Sequence, residues 1–190
     1  MLTEEQILDN KSKFIELLTN LNIDLTALTK YLISERVDYF NKPYNNYQSY
    51  AYKGSLCEHS LALYYELKKI CDLYCPDRYS TQELLKVALF KDMYRAELYE
   101  QYFKNVKNEV TGQWETVLAY RTKEIRPIFG DINFSSYMIA KKFINLDNDE
   151  VVEAIMFSNN TSNIENFNIR KTYKLVTLVN IAELAVDYLS

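Results

Sequence analysis

Histidine, aspartate and glutamate can hold a divalent cation. Four chemistry-bearing residues fall on stretches that otherwise read as buried helix: His59, the adjacent pair Lys91 and Asp92, and Glu183 in "LVNIAEL". Imidazole and carboxylate oxygens suit a cation that activates water and neutralises phosphate charge. Lysine does not, because its nitrogen is protonated near neutral pH, with a reference pKa of about 10.4. The chain contains one histidine, so no site that needs two can be built from it. Each residue also has an ordinary explanation. A lone histidine on an apolar face is usually a satisfied core residue, a Lys-Asp pair after the run Val87, Ala88, Leu89, Phe90 usually marks a helix turning towards solvent, and Glu183 alone is unremarkable. Arg95, one turn beyond Lys91, can face the same side or pair with an acid such as Glu97 or Glu100.

The elements that must position these residues are mostly helices. Thr3 and Gln6 have capping-box spacing and open a first helix through "FIELLTNL". A second is expected from about 25 to 37, with Leu25, Leu28, Tyr31 and Leu32 on one face. The stretch "YFNKPYNNYQSYAYKG" breaks the periodicity and reads as an ordered loop packed down by its tyrosines. "GSLCEHSLALYYELKKICDLYC" is the strongest helix: Leu56, His59, Ala62 or Leu63, and Leu67 share a face, Glu66, Lys68 and Lys69 lean outward, and Pro76 ends it. Ser80 and Glu83 form a second capping box, opening a helix expected to carry Lys91 and Asp92 within it. "VKNEVTGQWETVLAY" has β-formers on both sides of Thr111-Gly112 and predicts a hairpin over about 106–122. Three more helices are expected, over about 133–144, 147–157 (capped by Asp147, with Glu150 at the third position) and 168–189.

A chain of 190 residues with 48% hydrophobic and 25% charged residues fits one globular domain with a real core. Three glycines and three prolines leave little punctuation, which favours long helices over a sandwich or barrel. The fold class expected is therefore mainly α with one small inserted hairpin, as a single domain over 1–190 whose N-terminal helical segment covers about 1–37. A net charge of −4 gives no general attraction to nucleic acid. The cluster Lys104, Lys107, Arg121, Lys123 and Arg126 around the hairpin is interrupted by Asn and Glu and is a weak signal for such binding. Cys57, Cys71 and Cys75 lack a metal-type spacing and read as reduced thiols. "MLTEEQILDN" is not a signal peptide and no apolar run approaches the roughly 20 residues that span a bilayer, so a cytoplasmic protein is expected.

The order of the polar residues then carries a resemblance. "YKGSLCEHSLALYYELKKI" resembles the Gly-Gly-Leu-Leu-Glu-His-Ser-Leu segment of the HD-domain metal-dependent phosphohydrolase superfamily. "LLKVALFKDMYRAELY" resembles its Ala-Leu-Leu-His-Asp helix, and "GQWETVLAY" the hairpin that follows. "FGDINFSSYMIAKKFINLDNDEVVEAIMF" is similar to the next two helices and "TLVNIAELA" to the last. The resemblance covers roughly residues 30 to 188 in order, and is nearest to the small HD-domain proteins of Gram-positive bacteria and their phages. It implies an HD-like helical bundle. In that family a histidine, a His-Asp doublet and a late aspartate hold the metal. The matching positions here are His59, Lys91 with Asp92, and Glu183, and the family's additional histidines fall at Asp131, Ser158 and Asn180.

The ligand set is thus broken, with a fixed cation where an electron-pair donor belongs. The resemblance implies a vestigial pocket in which the Lys91 ammonium sits at or near the metal position and pairs with Asp92 and Glu183. Without it those buried carboxylates would be uncompensated, at a cost of several kcal/mol. Arg95 matches a position suited to a substrate phosphate, so Lys91 and Arg95 together are a candidate anion site. The expected function is that of a catalytically inactive HD-fold protein, phage-encoded as the resemblance hints, without metal or cofactor, that binds a protein partner of host or phage. The alternatives are a nucleotide or signalling-ligand binder using the old pocket and, third, an active phosphohydrolase. Trp114, Val117, Leu118 and Tyr120 on the hairpin are the candidate interface. The competing expectation is that they pack the hairpin onto the helices.

Overall fold

The computed structural model describes residues 1–47, 49–124, 127–158 and 174–188. Eight α-helices and one antiparallel hairpin make up the regular structure of these residues: α1 (Glu4–Leu18), α2 (Leu25–Leu32), α3 (Ser55–Tyr74), α4 (Thr81–Phe90), α5 (Arg95–Leu98), β1 (Tyr99–Lys107), β2 (Trp114–Thr122), α6 (Ile132–Phe143), α7 (Asp149–Phe157) and α8 (Lys174–Tyr188). Short 3-10 turns lie at Tyr39–Asn41 and Ile128–Gly130. The architecture is mainly α with one small hairpin.

The centre is α3. It buries Leu56, Cys57, His59, Ser60, Leu61, Leu63, Tyr64, Leu67, Ile70 and Cys71, more than one face of an amphipathic helix holds, because α1, α4 and α8 all pack against it. Leu63 rather than Ala62 is the buried partner of Leu56 and Leu67. Gly54 precedes α3 with φ +84, and a Cβ there would lie 2.8 Å from Ile7 Cγ1 of α1. Its missing side chain lets the first helix close over the start of the third.

Local signals explain most helix starts. Thr3 and Gln6 cap each other reciprocally at α1, as do Ser80 and Glu83 at α4. Asn148, not Asp147, caps α7, its Oδ1 accepting from the Glu150 backbone N–H at 2.8 Å. Asp147 is drawn instead to Lys86, 3.6 Å away. The second helix ends at Leu32, five residues short of the expectation at 37, where the Ser34 hydroxyl donates to the Tyr31 carbonyl at 2.7 Å and closes the last turn. For the last helix, the start expected near 168 lies outside the described residues.

Two further corrections bear on the site. First, Lys91 and Asp92 are not inside a helix, because α4 stops at Phe90. The backbone then tightens into i→i+3 bonds, Met93 to the Phe90 carbonyl at 3.2 Å and Arg95 to the Asp92 carbonyl at 2.9 Å. Neighbouring residues on an α-helix do not face each other, and this turn is what lets the two side chains meet. Second, the first strand begins at Tyr99, so the hairpin is two strands of nine residues in a register that pairs Tyr99 with Thr122 and Lys107 with Trp114. "YEQYFKNV" alternates without an apolar face, because only Tyr99 and Tyr120 of the two strands are buried. At about 3.4 Å per residue the arm is roughly 30 Å long, and beyond its root both faces meet solvent.

Candidate functional site: a lysine among metal-ligand residues

His59 comes from the first turns of α3, Lys91 and Asp92 from the turn after α4, and Glu183 from the middle of α8. All four are buried: Lys91 and His59 are 0% exposed, Asp92 2% and Glu183 9%. One donor atom each from His59, Asp92 and Glu183 lie within 4.8 Å of one another. The order seen in the chain is therefore a real convergence in space. The Lys91 ammonium is in the same place. Its Nζ donates to Asp92 Oδ2 at 2.5 Å and to Glu183 Oε1 at 2.6 Å.

Arg95 completes the cluster. Its Nε donates to Asp92 Oδ1 at 2.6 Å, so both oxygens of that carboxylate are engaged by cations. A second guanidinium nitrogen donates to the Tyr44 carbonyl at 3.2 Å. Thus Arg95 pairs with Asp92 and not with Glu97 or Glu100. Glu97 is itself buried and bound by Arg36 and by the Tyr31 hydroxyl at 2.8 Å, while Glu100 pairs with Arg121 across the hairpin.

Burial opposes the charge on Lys91, Asp92 and Arg95, and the partners decide the outcome. For Lys91, burial favours the neutral amine, but Asp92 and Glu183 hold the ammonium above the usual lysine range. Burial likewise pushes Asp92 up, yet Lys91 and Arg95, with His59 behind them, hold its carboxyl well below the usual range. Arg95 loses solvation and is nevertheless driven further towards its charged form by its partners. The group is a self-neutralised salt-bridge network.

Three residues complete the setting that sequence reasoning did not single out: Tyr44, Tyr50 and Asp187. The Tyr44 ring stacks on His59 with centroids 3.6 Å apart and planes 13° apart, and the Arg95 guanidinium lies 4.3 Å from the same centroid. Two groups this close cannot share one face of a ring, so Tyr44 is sandwiched between them. The rings of Tyr50 and His59 stand perpendicular, with centroids 5.2 Å apart. Asp187, one turn beyond Glu183, lies 3.3 Å from His59 Nε2. His59 Nδ1 is buried with no hydrogen-bond partner among the described residues. The only signal for this aromatic lid was the tyrosine-rich loop, read as packing, and Tyr44 does pack; Tyr47 is 63% exposed.

Beyond the lid opens a cavity of about 420 Å³ lined by Tyr44, Tyr47, Tyr50, Arg95, Asp187 and Tyr188, among others. Lys91 does not reach it. The expected anion site of Lys91 with Arg95 is corrected on this point: Asp92 stands between the two cations, and only Arg95 meets the cavity.

A divalent metal does not fit these residues as they stand. It would have to bind at about 2.0–2.6 Å among carboxylates of which both Asp92 oxygens and Glu183 Oε1 already accept from the ammonium or the guanidinium. A metal ion beside a lysine held in its charged form would add repulsion, and no catalytic step is derived through one. Of the three further positions that the resemblance singled out, two make local backbone bonds. Asp131 caps α6 by accepting from the Phe134 N–H at 2.8 Å, and the Asn180 amide donates to the Val176 carbonyl at 2.8 Å. Ser158 is buried at the end of α7, its Oγ without a partner among the described residues.

The hairpin residues behave differently from one another. Trp114 is 71% and Leu118 46% exposed, Val117 is half-buried, and Tyr120 is buried at the root. Packing of the whole set onto the helices is thereby overturned, and Tyr120 is removed from the candidate interface. Of the basic cluster, Lys104, Lys107 and Arg121 are exposed and Lys123 half-buried, while Arg126 lies outside the described residues. Arg121 is tied to Glu100 at 2.7 Å, and Lys104 and Lys107 stand opposite Val117 and Trp114, so the described ones form no continuous basic face. Cys57, Cys71 and Cys75 are free thiols, and burial pushes Cys71 up to about 12. No described helix is long and apolar enough to cross a membrane.

Compared with protein-family models, with curated proteins and with solved structures, the chain matches none of them.

Proposed function

We propose that this chain is a non-catalytic domain of HD-like construction that acts by binding protein, with its former metal centre converted into a salt-bridge network. The observation that carries the reading is the Lys91 ammonium bonded to Asp92 and Glu183 among three residues of metal-ligand type. A lysine there supplies the positive charge that the carboxylates need and none of the Lewis acidity that hydrolysis needs. The exposed hairpin arm, with Phe103, Trp114 and Leu118 in solvent, is the surface for a partner. The test has two arms. Incubation with nucleotides and phosphate esters in the presence of magnesium, manganese, iron or nickel should give no turnover above buffer; turnover abolished by a chelator would restore an enzyme. Shortening the arm to a turn between Tyr102 and Ala119 should abolish capture of a protein partner from the native host, and undiminished capture would move the surface elsewhere.

A second reading is favoured by the cavity beside Arg95. Its exposed tyrosines, Tyr47 and Tyr188, offer planar faces on which a base could stack, and its one arginine offers donors. A rise in melting temperature with a nucleotide, lost in Arg95→Leu with the fold intact, supports that reading. No shift across a nucleotide panel removes it.

A further inference from the structure

The hairpin carries an arrangement that ordinary solvated strands do not need. β2 reads Trp114, Glu115, Thr116, Val117, Leu118, Ala119, Tyr120, Arg121, Thr122, and its charges lie symmetrically about Leu118, an acid three residues before and a base three residues after. Side chains alternate along a strand, so Glu115 and Arg121 share one face while Trp114 and Leu118 share the other. Among the described residues the outer edge of β2 has no strand beside it, since the sheet they form consists of β1 and β2. An open edge of nine residues is a template for another strand.

We infer that β2 pairs with β2 of a second copy of this chain, antiparallel and two-fold symmetric about Leu118. Charge complementarity selects this occupant. The rotation places Glu115 opposite Arg121 of the second copy and Arg121 opposite its Glu115, two attractive pairs from one symmetry operation. On the other face it sets Leu118 against Leu118. Phe103, already opposite Leu118 within the hairpin, then extends this into a row of four apolar side chains across a four-stranded sheet. Phe103 is 73% and Leu118 46% exposed in the single chain, and this row gives both a neighbour. Trp114 comes to lie opposite Thr122 of the second copy, next to the buried root at Tyr120. Arg121 spends its Nε on Glu100 and keeps other donors for the second carboxylate.

The β1 edge does not match as well. Turned about Phe103 it leaves Glu100 opposite Val106, and turned about Tyr102 it pairs Glu100 with Lys104 but sets Phe103 opposite Gln101. Only the β2 register aligns charge and apolar surface together. An interface made of two strand edges is small, so the dimer is reversible and concentration-dependent.

The inference rests on reading the arm as the binding surface, and the test separates the two. Sedimentation of the full chain should show a monomer–dimer equilibrium. Glu115→Arg and Arg121→Glu each replace two attractive contacts by two repulsive ones and should weaken the dimer about tenfold or more. Mixing the two variants in equal amounts should restore it, because each then meets its opposite charge at both contacts. Both residues are exposed, and circular dichroism checks that the variants fold. Independently, Leu118→Cys in a Cys75→Ser background should cross-link to itself on oxidation, and Thr116→Cys, which lies off the axis, should not. A monomeric wild type, a dimer indifferent to both charge reversals, or variants that fail to recover on mixing would each overturn the pairing. If the wild type is monomeric while arm shortening still abolishes capture of a different protein, the self-pairing fails and the proposed function stands.

Discussion

At the scale of single residues, the chemistry turns on one placement, a lysine ammonium among a histidine and two carboxylates of metal-ligand type. The Lys91 ammonium satisfies two buried carboxylates that would otherwise be unpaired, so its removal is costly. Lys91→Met should destabilise the chain by about 3–5 kcal/mol, as breaking a buried pair typically does. Adding Glu183→Leu should recover much of that loss, since Asp92 keeps Arg95. Urea denaturation of the single and double variants checks both. The same network fixes the pH dependence. Asp92 has an ordinary value of 3.8 that is depressed in the fold, so its contribution is present above pH 3.8 and is lost as pH falls through the depressed value. Lys91 has an ordinary value of 10.5 that is raised, so its contribution is complete below pH 10.5 and is lost as pH rises through the raised value. The network's contribution should therefore be flat between these limits and fall off outside them. In Lys91→Met with Glu183→Leu the alkaline decline should shrink, and an unchanged alkaline limb in denaturation curves would refute the assignment. These residues were legible in the sequence because polar types stood on apolar stretches in a meaningful order. Tyr44 and Asp187 were not legible, since a loop tyrosine and an acid near a chain end carry no periodicity that marks them as neighbours of His59.

At the scale of elements, capping chemistry was readable and helix ends were less so. The reciprocal pairs at Thr3 and Ser80 involve residues three apart and declare themselves locally. The stop of α4 at Phe90 is followed by a turn whose Lys91 pairs with Glu183 of α8, 92 positions away in the chain, and no local pattern reveals such a partner. The long first strand was missed for a related reason. An arm exposed on both faces lacks the alternation that a half-buried strand displays. Gly54 shows how tightly the central helix is seated. Gly54→Ala would carry a side chain at φ +84 and press it against Ile7. A loss of about 1–3 kcal/mol is expected from the backbone conformation, with a further loss from the contact with Ile7; both are measurable by thermal or urea unfolding, and Ile7→Ala in the same chain should relieve only the contact. A neutral Gly54→Ala would mean that α1 does not pack as described.

At the scale of the whole molecule, the parts divide into a helical body with its charges neutralised inside and an arm with its apolar groups outside. Mainly α with a hairpin was legible from few glycines, few prolines and the helical periodicities. The body's chemistry makes the most exposed commitment, that the ammonium excludes a metal. Divalent-metal content and binding should therefore be measured on the purified wild type and on Lys91→His, by elemental analysis and by thermal shift with added manganese, iron, nickel and zinc. The account predicts a wild type with no stoichiometric metal and no shift, and a destabilised Lys91→His that regains stability when metal is added. Stoichiometric metal in the wild type, removed by a chelator with loss of stability, would contradict it.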